Sequence, residues 1–205
     1  IIENTDMPHD LCIFVYTKEK GDYMQRNYDR DGVRQNSITS FNTPSEFAKQ
    51  NLFYLDMFGH YWCNSRYHIE NRLLDSYLLI LTIDGSGTVV TNTGEYLCQK
   101  MDLILIDSSA GHHYHANGNW EFYWLHFQGS SSGALVRYML ESSCDFTHVE
   151  ETSLSVHSFI QLVQKGGSSA IDAEISVSAQ LHQLLADMIR QALSSQGSPD
   201  CRLSE

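Results

Sequence analysis

Three histidines crowd one short run, His112-His113-Tyr114-His115, and a fourth, His126, follows soon after. Imidazole binds transition metals and carries protons near neutral pH, so the cluster invites a metal reading. Alternation along a strand sends His112 and Tyr114 to one face and His113 and His115 to the other. At most two of the cluster can then converge with His126, whereas a zinc or iron site usually takes about three or four ligands with outer support. Pocket or surface histidines are the better reading. No metal and no cofactor is expected.

Two further features bear on binding. Trp120-Glu-Phe-Tyr-Trp-Leu-His-Phe127 is unusually aromatic, and as a strand it places Trp120, Phe122, Trp124 and His126 on one face. Core packing explains part of that face; a stacking platform for a sugar ring or another flat ligand is the functional alternative. Arg72 stands just before an apolar run, where a charge is costly unless partnered. Either it awaits a polar ligand, or it pairs with Glu70 or Asp75.

Other chemistries lack their residues. Asn27-Tyr-Asp29-Arg-Asp31-Gly32 copies the first half of a calcium loop, but Ile38 replaces the bidentate glutamate and Arg34 an aliphatic residue. A polar loop is the simpler reading. There is no GxSxG elbow, no cysteine near a convincing base and no phosphate-cradling glycine loop. Catalysis is not expected.

The elements that must position these residues change character along the chain. Residues 1–58 are mixed, with a strand signal at Leu11–Tyr16 and a helix start at Thr43-Pro-Ser-Glu46. Residues 59–130 read as an antiparallel barrel or sandwich. Strand signals cover Tyr77–Ile83, Thr88–Thr91, Tyr96–Cys98, Leu103–Ile106 and Trp120–Phe127. Turn clusters separate them: Asp84-Gly-Ser-Gly87, read as a hairpin, Asn92-Thr-Gly94 and Asn117-Gly-Asn119. The strands carrying Trp120–Phe127 and Tyr114 are expected to pair, so that their rings line one wall.

From residue 131 to 198 the period is helical, over Ala134–Glu141, Leu154–Gln164 and Ile171–Leu193. Ser169 with Asp172 resembles a capping box, and Gly197 then Pro199 end the last helix. Tyr77–Ile83 and Leu103–Ile106 are apolar at successive positions, so both of their faces need cover, and the helices are the obvious cover. The last helix has apolar residues to spare. A homodimer through Leu181, Leu185 and Met188 is expected.

Composition sets limits. The chain has 205 residues, 42% hydrophobic and 19% charged, which suits a folded domain rather than a disordered one. Its longest apolar run, Tyr77–Leu81, is far short of the roughly 20 residues that span a membrane. A net charge of −12 repels phosphate backbones, so nucleic acid is a poor partner for this chain alone. Five scattered cysteines fit neither a disulfide framework nor a CxxC site and are read as reduced thiols of a cytoplasmic protein.

Four motifs, in order, resemble the sensor domain of AraC-type bacterial transcription regulators. Arg72 followed by Tyr77-Leu-Leu-Ile-Leu-Thr-Ile-Asp-Gly-Ser-Gly87 is similar to the family's R…YxLxxxxxGxG signature. Asp102-Leu-Ile-Leu-Ile106 is similar to its GDxxxx strand, with Met101 in place of the glycine. His112-His113-Tyr114 is similar to its H-H/x-Y step, with Asp107 and Ser108 replacing the usual prolines. Trp120–Phe127 is similar to its W-x-x-x-W-x-x-F strand.

The resemblance implies a mainly β, cupin-like jelly-roll barrel holding a small effector, followed by dimerising helices. It implies that residues 199–205 begin a linker to a DNA-binding domain absent from this chain. Cupin enzymes take a metal with an HxH…E set, but those positions are Arg72, Leu74 and Leu78, which leaves a metal-dependent cupin enzyme as the weaker alternative. In sugar-sensing members the ligand contacts fall on Arg72, Tyr114, Phe122 and Trp124; with His112 and His126 on the same faces, these six are the expected binding residues. Phe122 stands where the arabinose sensor has histidine, a departure that counts against arabinose; a small polar, sugar-like effector is expected.

Overall fold

The computed structural model of the protein describes residues 31–196. In chain order the elements are β1 Ile38–Phe41, α1 Glu46–Asn51, β2 Phe53–Cys63, β3 His68–Arg72, β4 Tyr77–Val90, β5 Glu95–Cys98, β6 Asp102–Asp107, β7 His112–Gly129, α2 Ser132–Glu141, β8 Phe146–His148, α3 Leu154–Lys165 and α4 Ile171–Gln196. The strands pair antiparallel in the order β1-β2-β7-β4-β6-β8, with β3 also on β7 and β5 also on β4. This is the mainly β, cupin-like barrel with helices that the motifs imply. The sheet starts at Ile38, before residue 59, and β8 returns to it from within the helical segment. The strand signal at Leu11–Tyr16, positions 27–30 of the calcium-like loop, and residues 197–205 lie outside the described residues.

Two expected turns are bends instead. Asp84-Gly-Ser-Gly87 lies inside β4, a strand of 14 residues, and Asn117-Gly-Asn119 lies inside β7, a strand of 18. The two irregularities face each other, since register shifts flank the Gly85–Trp120 and Gly87–Ala116 pairs. A bulge bends a strand without ending it, so β4 and β7 each serve two walls of the barrel. Tyr114 and Trp124 therefore sit on one continuous strand, and each is opposite β4, at Val89 and Ile80.

Gly85 shows why glycine is needed at the bend. Its φ is +70°, and a Cβ there would lie 1.9 Å from the Asn119 carbonyl oxygen. Gly85→Ala is therefore expected to destabilise the domain by about 2–4 kcal/mol, from strain and backbone overlap together. Urea unfolding checks this; an unchanged midpoint would show that the bend relaxes freely. The third glycine cluster is a true turn, closed between β4 and β5 by Thr91 N donating to Gly94 O at 2.9 Å.

Positions 78–82 of β4 and 102–106 of β6 are buried on both faces, as their unbroken apolar runs require. Leu78, Ile80, Ile104 and Ile106 point into the barrel. Leu79, Leu81, Leu103 and Leu105 point outward, under α3 and α4. The cover comes from Leu162 on α3 and from Leu181, Leu184, Leu185 and Met188 on α4. Each fully buried large aliphatic contributes about 1.5–3 kcal/mol.

That arrangement corrects the expected dimer face. Leu181, Leu185 and Met188 are 0%, 0% and 1% exposed inside the chain's own core, so they have no surface left for a partner. The two-faced strands take up the stripe. Polar clamps fix the same helix: Glu174 accepts from Ser45 N and Oγ at 2.7 and 2.6 Å, and Phe53 N donates to Ser178 Oγ at 3.0 Å. The large apolar residues that α4 leaves exposed are Ile171, Ile175 and Leu193. Among the described residues no helix is long and apolar enough to cross a membrane.

Candidate functional site

Alternation along β7 sends His112, Tyr114, Trp120, Phe122, Trp124 and His126 inward, and all six are buried. Part of this set forms a closed aromatic floor. Trp120 and Phe122 lie 4.2 Å apart, and Tyr61 and Tyr67 pack on Phe122 at 5.8 and 6.0 Å. The Trp120 indole is satisfied, because Nε1 donates to Thr82 Oγ1 at 3.1 Å. Phe122, an expected ligand contact, belongs to this packed floor.

The other part is polar and unsatisfied. Arg72 is half-buried opposite His112 in the β3–β7 register. The expected pairing with Glu70 or Asp75 does not form, and among the described residues Arg72 has no ion-pair partner. His112 stacks on Tyr114 with ring centroids 5.6 Å apart and planes 14° from parallel. Both of its ring nitrogens are buried without a hydrogen-bond partner, and so is Trp124 Nε1. Trp124 lies against β2 at Gly59, where a Cβ would come within 2.8 Å of the indole. A buried, unpaired polar atom costs about 1–3 kcal/mol, and His112 leaves two of them opposite Arg72.

Electrostatics join the same residues. Burial, then Arg72 and His113, push His112 down to about 4. Burial, then Arg72 and His112, hold His126 well below its ordinary value of 6.5. Both imidazoles are thus neutral at pH 7, and the Arg72 guanidinium is the charge they share. His126 Nδ1 sits 2.8 Å from Ser76 Oγ. A bare metal cation would meet Arg72 there, and no group of three metal-ligating side chains forms among the described residues. His113 and His115 are exposed on the opposite face of β7, as alternation predicts. The chemistry on offer is recognition: a planar cation, an indole N–H and a two-sided imidazole beside an aromatic wall.

Residues 54–205 match the family model of the AraC-like ligand binding domain, well over half of the chain. The chain belongs to that family. No curated protein matches the sequence. Among solved structures, the chain is similar to YhaK from Escherichia coli, with TM-score 0.41 and 12% identity over 47% of this chain and 46% of that one. A cupin superfamily protein from Desulfitobacterium hafniense DCB-2 aligns with TM-score 0.36 and 9% identity over 50% of this chain and 96% of that one. An HTH_3 family transcriptional regulator from Vibrio cholerae aligns with TM-score 0.36 and 13% identity, covering 47% and 53%. The match thus spans under half of the YhaK chain.

As an AraC-like ligand-binding domain, the chain is a ligand-sensing regulatory domain. Residues that sequence reasoning passed over complete its interior. Ser76 partners His126, and Tyr61 and Tyr67 build the floor. Ser76 was within reach, because it precedes Leu78 by two positions and so shares its inward face. Tyr61 and Tyr67 lie outside the recognised motifs: the pairing of β2 with β7 places Tyr61, and Tyr67, between β2 and β3, is held by Ala116 N donating to its carbonyl at 3.0 Å.

Proposed function

We propose that this AraC-like domain binds a small, sugar-sized polar effector at the Arg72 end of its barrel, and that binding controls a helix-turn-helix DNA-binding domain elsewhere in a cytoplasmic regulator. The role is sensing rather than catalysis. One observation carries the reading: both ring nitrogens of His112 are buried and unpartnered opposite Arg72, which has no counter-ion among the described residues. A small-molecule site commonly combines an apolar wall with a few convergent polar groups, and Trp124 and Tyr114 supply that wall.

Calorimetric titration against a panel of sugars and organic acids tests this. Losing a charge-assisted bond costs about 1.5–3 kcal/mol, so Arg72→Ala should weaken the effector at least tenfold. Equal binding by the variant would remove Arg72 from the site.

The regulator acts as a homodimer in this proposal, through a different α4 face from the one buried in the core. Ile171, Ile175, Ala179, Ala186 and Leu193 are exposed at spacings close to a heptad seam. A seam of that kind fits a second copy of the same helix, and two-fold assembly suits paired DNA half-sites.

A further inference from the structure

Hydrogen-bond donors outnumber acceptors at the Arg72 end of the barrel. Arg72 carries up to five N–H donors and no acceptor, and the Trp124 indole is a donor only. Neutral His112 offers one donor and one acceptor, both buried and unpartnered. His126 is already engaged with Ser76 Oγ at 2.8 Å. Tyr114 is spread against the His112 ring. No described carboxylate neutralises Arg72.

A ligand made of hydroxyl groups alone brings donors as well as acceptors, and it leaves the half-buried charge uncompensated. A carboxylate brings only acceptors, in the planar geometry that a guanidinium fork matches, together with the missing negative charge. One His112 nitrogen then still needs a donor, which a ligand hydroxyl supplies. We propose that the effector is a small hydroxy acid, its carboxylate bound by Arg72 and the Trp124 indole N–H and a hydroxyl donating to His112. The proposal rests on the barrel end being the effector site.

The inventory also orders the ligands. A neutral polyol of the same skeleton brings Arg72 acceptors but no counter-charge, and a simple carboxylate loses the His112 contact. With a net charge of −12 the chain as a whole repels anions, so capture depends on Arg72 locally.

Probes matched except at one group test this: glucuronate against glucose, and lactate against propane-1,2-diol and propanoate. The readout is the indole N–H resonance of Trp124, assigned with Trp124→Phe, at constant ionic strength. Expected is a saturable shift with the acid of each pair, at least tenfold tighter than with its neutral partner. Arg72→Gln should abolish that preference, and His112→Phe should remove the preference for lactate over propanoate. Should neutral partners bind as tightly as acids, the hydroxy-acid proposal falls while the effector site stands. If neither acids nor neutral sugars move Trp124, both readings fall.

Discussion

Leu185→Glu is expected to unfold the domain rather than to release folded monomers. The side chain is 0% exposed, wedged with Leu181, Leu184 and Met188 against the outer face of β4 and β6. A carboxylate there loses the packing of the leucine and buries a charge without a partner. Removing the partner of a buried charge costs about 3–5 kcal/mol, and cavity effects of comparable size add to it. Domains are stable by only about 5–15 kcal/mol, so most of the margin goes. Ile175→Glu is the contrasting variant, because Ile175 is 49% exposed on the neighbouring stripe. It should leave the thermal transition nearly unchanged and, where the exposed stripe joins two copies, shift the sedimenting species from dimer to monomer. A folded Leu185→Glu protein would contradict the packing of α4 on the sheet.

Acid should also weaken the domain, beginning as pH falls below about 6.5. His112 is lowered to about 4 and His126 well below 6.5, both chiefly by burial. The half-buried His60 is lowered by burial too, against the pull of Glu121. A base whose folded value is depressed holds fewer protons folded than unfolded. The sign follows: stability is intact above the unfolded value of 6.5 and falls as pH drops towards the folded values. For His112 alone the full loss between 6.5 and about 4 is roughly 3 kcal/mol. Urea midpoints measured at pH 7.5 and pH 5 should therefore differ, with His112→Phe flattening the slope. A flat profile would mean that these imidazoles protonate freely in the folded chain.

The barrel was legible where a local rule decides. Unbroken apolar runs announced that β4 and β6 are covered on both sides, and alternation placed His112 and Tyr114 inward and His113 and His115 outward. The Thr43-Pro-Ser-Glu46 signal marked the start of α1, where Ser45 caps the first turn. What could not be read was the use made of a pattern by the rest of the fold. Glycine clusters at 84–87 and 117–119 look like hairpin turns in isolation. They became bulges because the two stretches lie side by side and bend together. The apolar stripe of α4 was legible too, but a stripe does not say whether the strands or a second chain covers it. Among the site residues, only tertiary structure distinguishes Trp120, whose indole is bonded to Thr82, from Trp124, whose indole has no partner.

The central claim is that the Arg72 end of the barrel is where the effector sits, and the structure of the complex tests it most directly. Crystals grown with whichever panel compound binds most tightly should show it inside the barrel. Its oxygens should lie about 2.7–3.2 Å from the Arg72 guanidinium and from a His112 nitrogen, with Trp124 against its skeleton. A ligand bound elsewhere, with Arg72 turned to solvent and His112 still unpartnered, would contradict it.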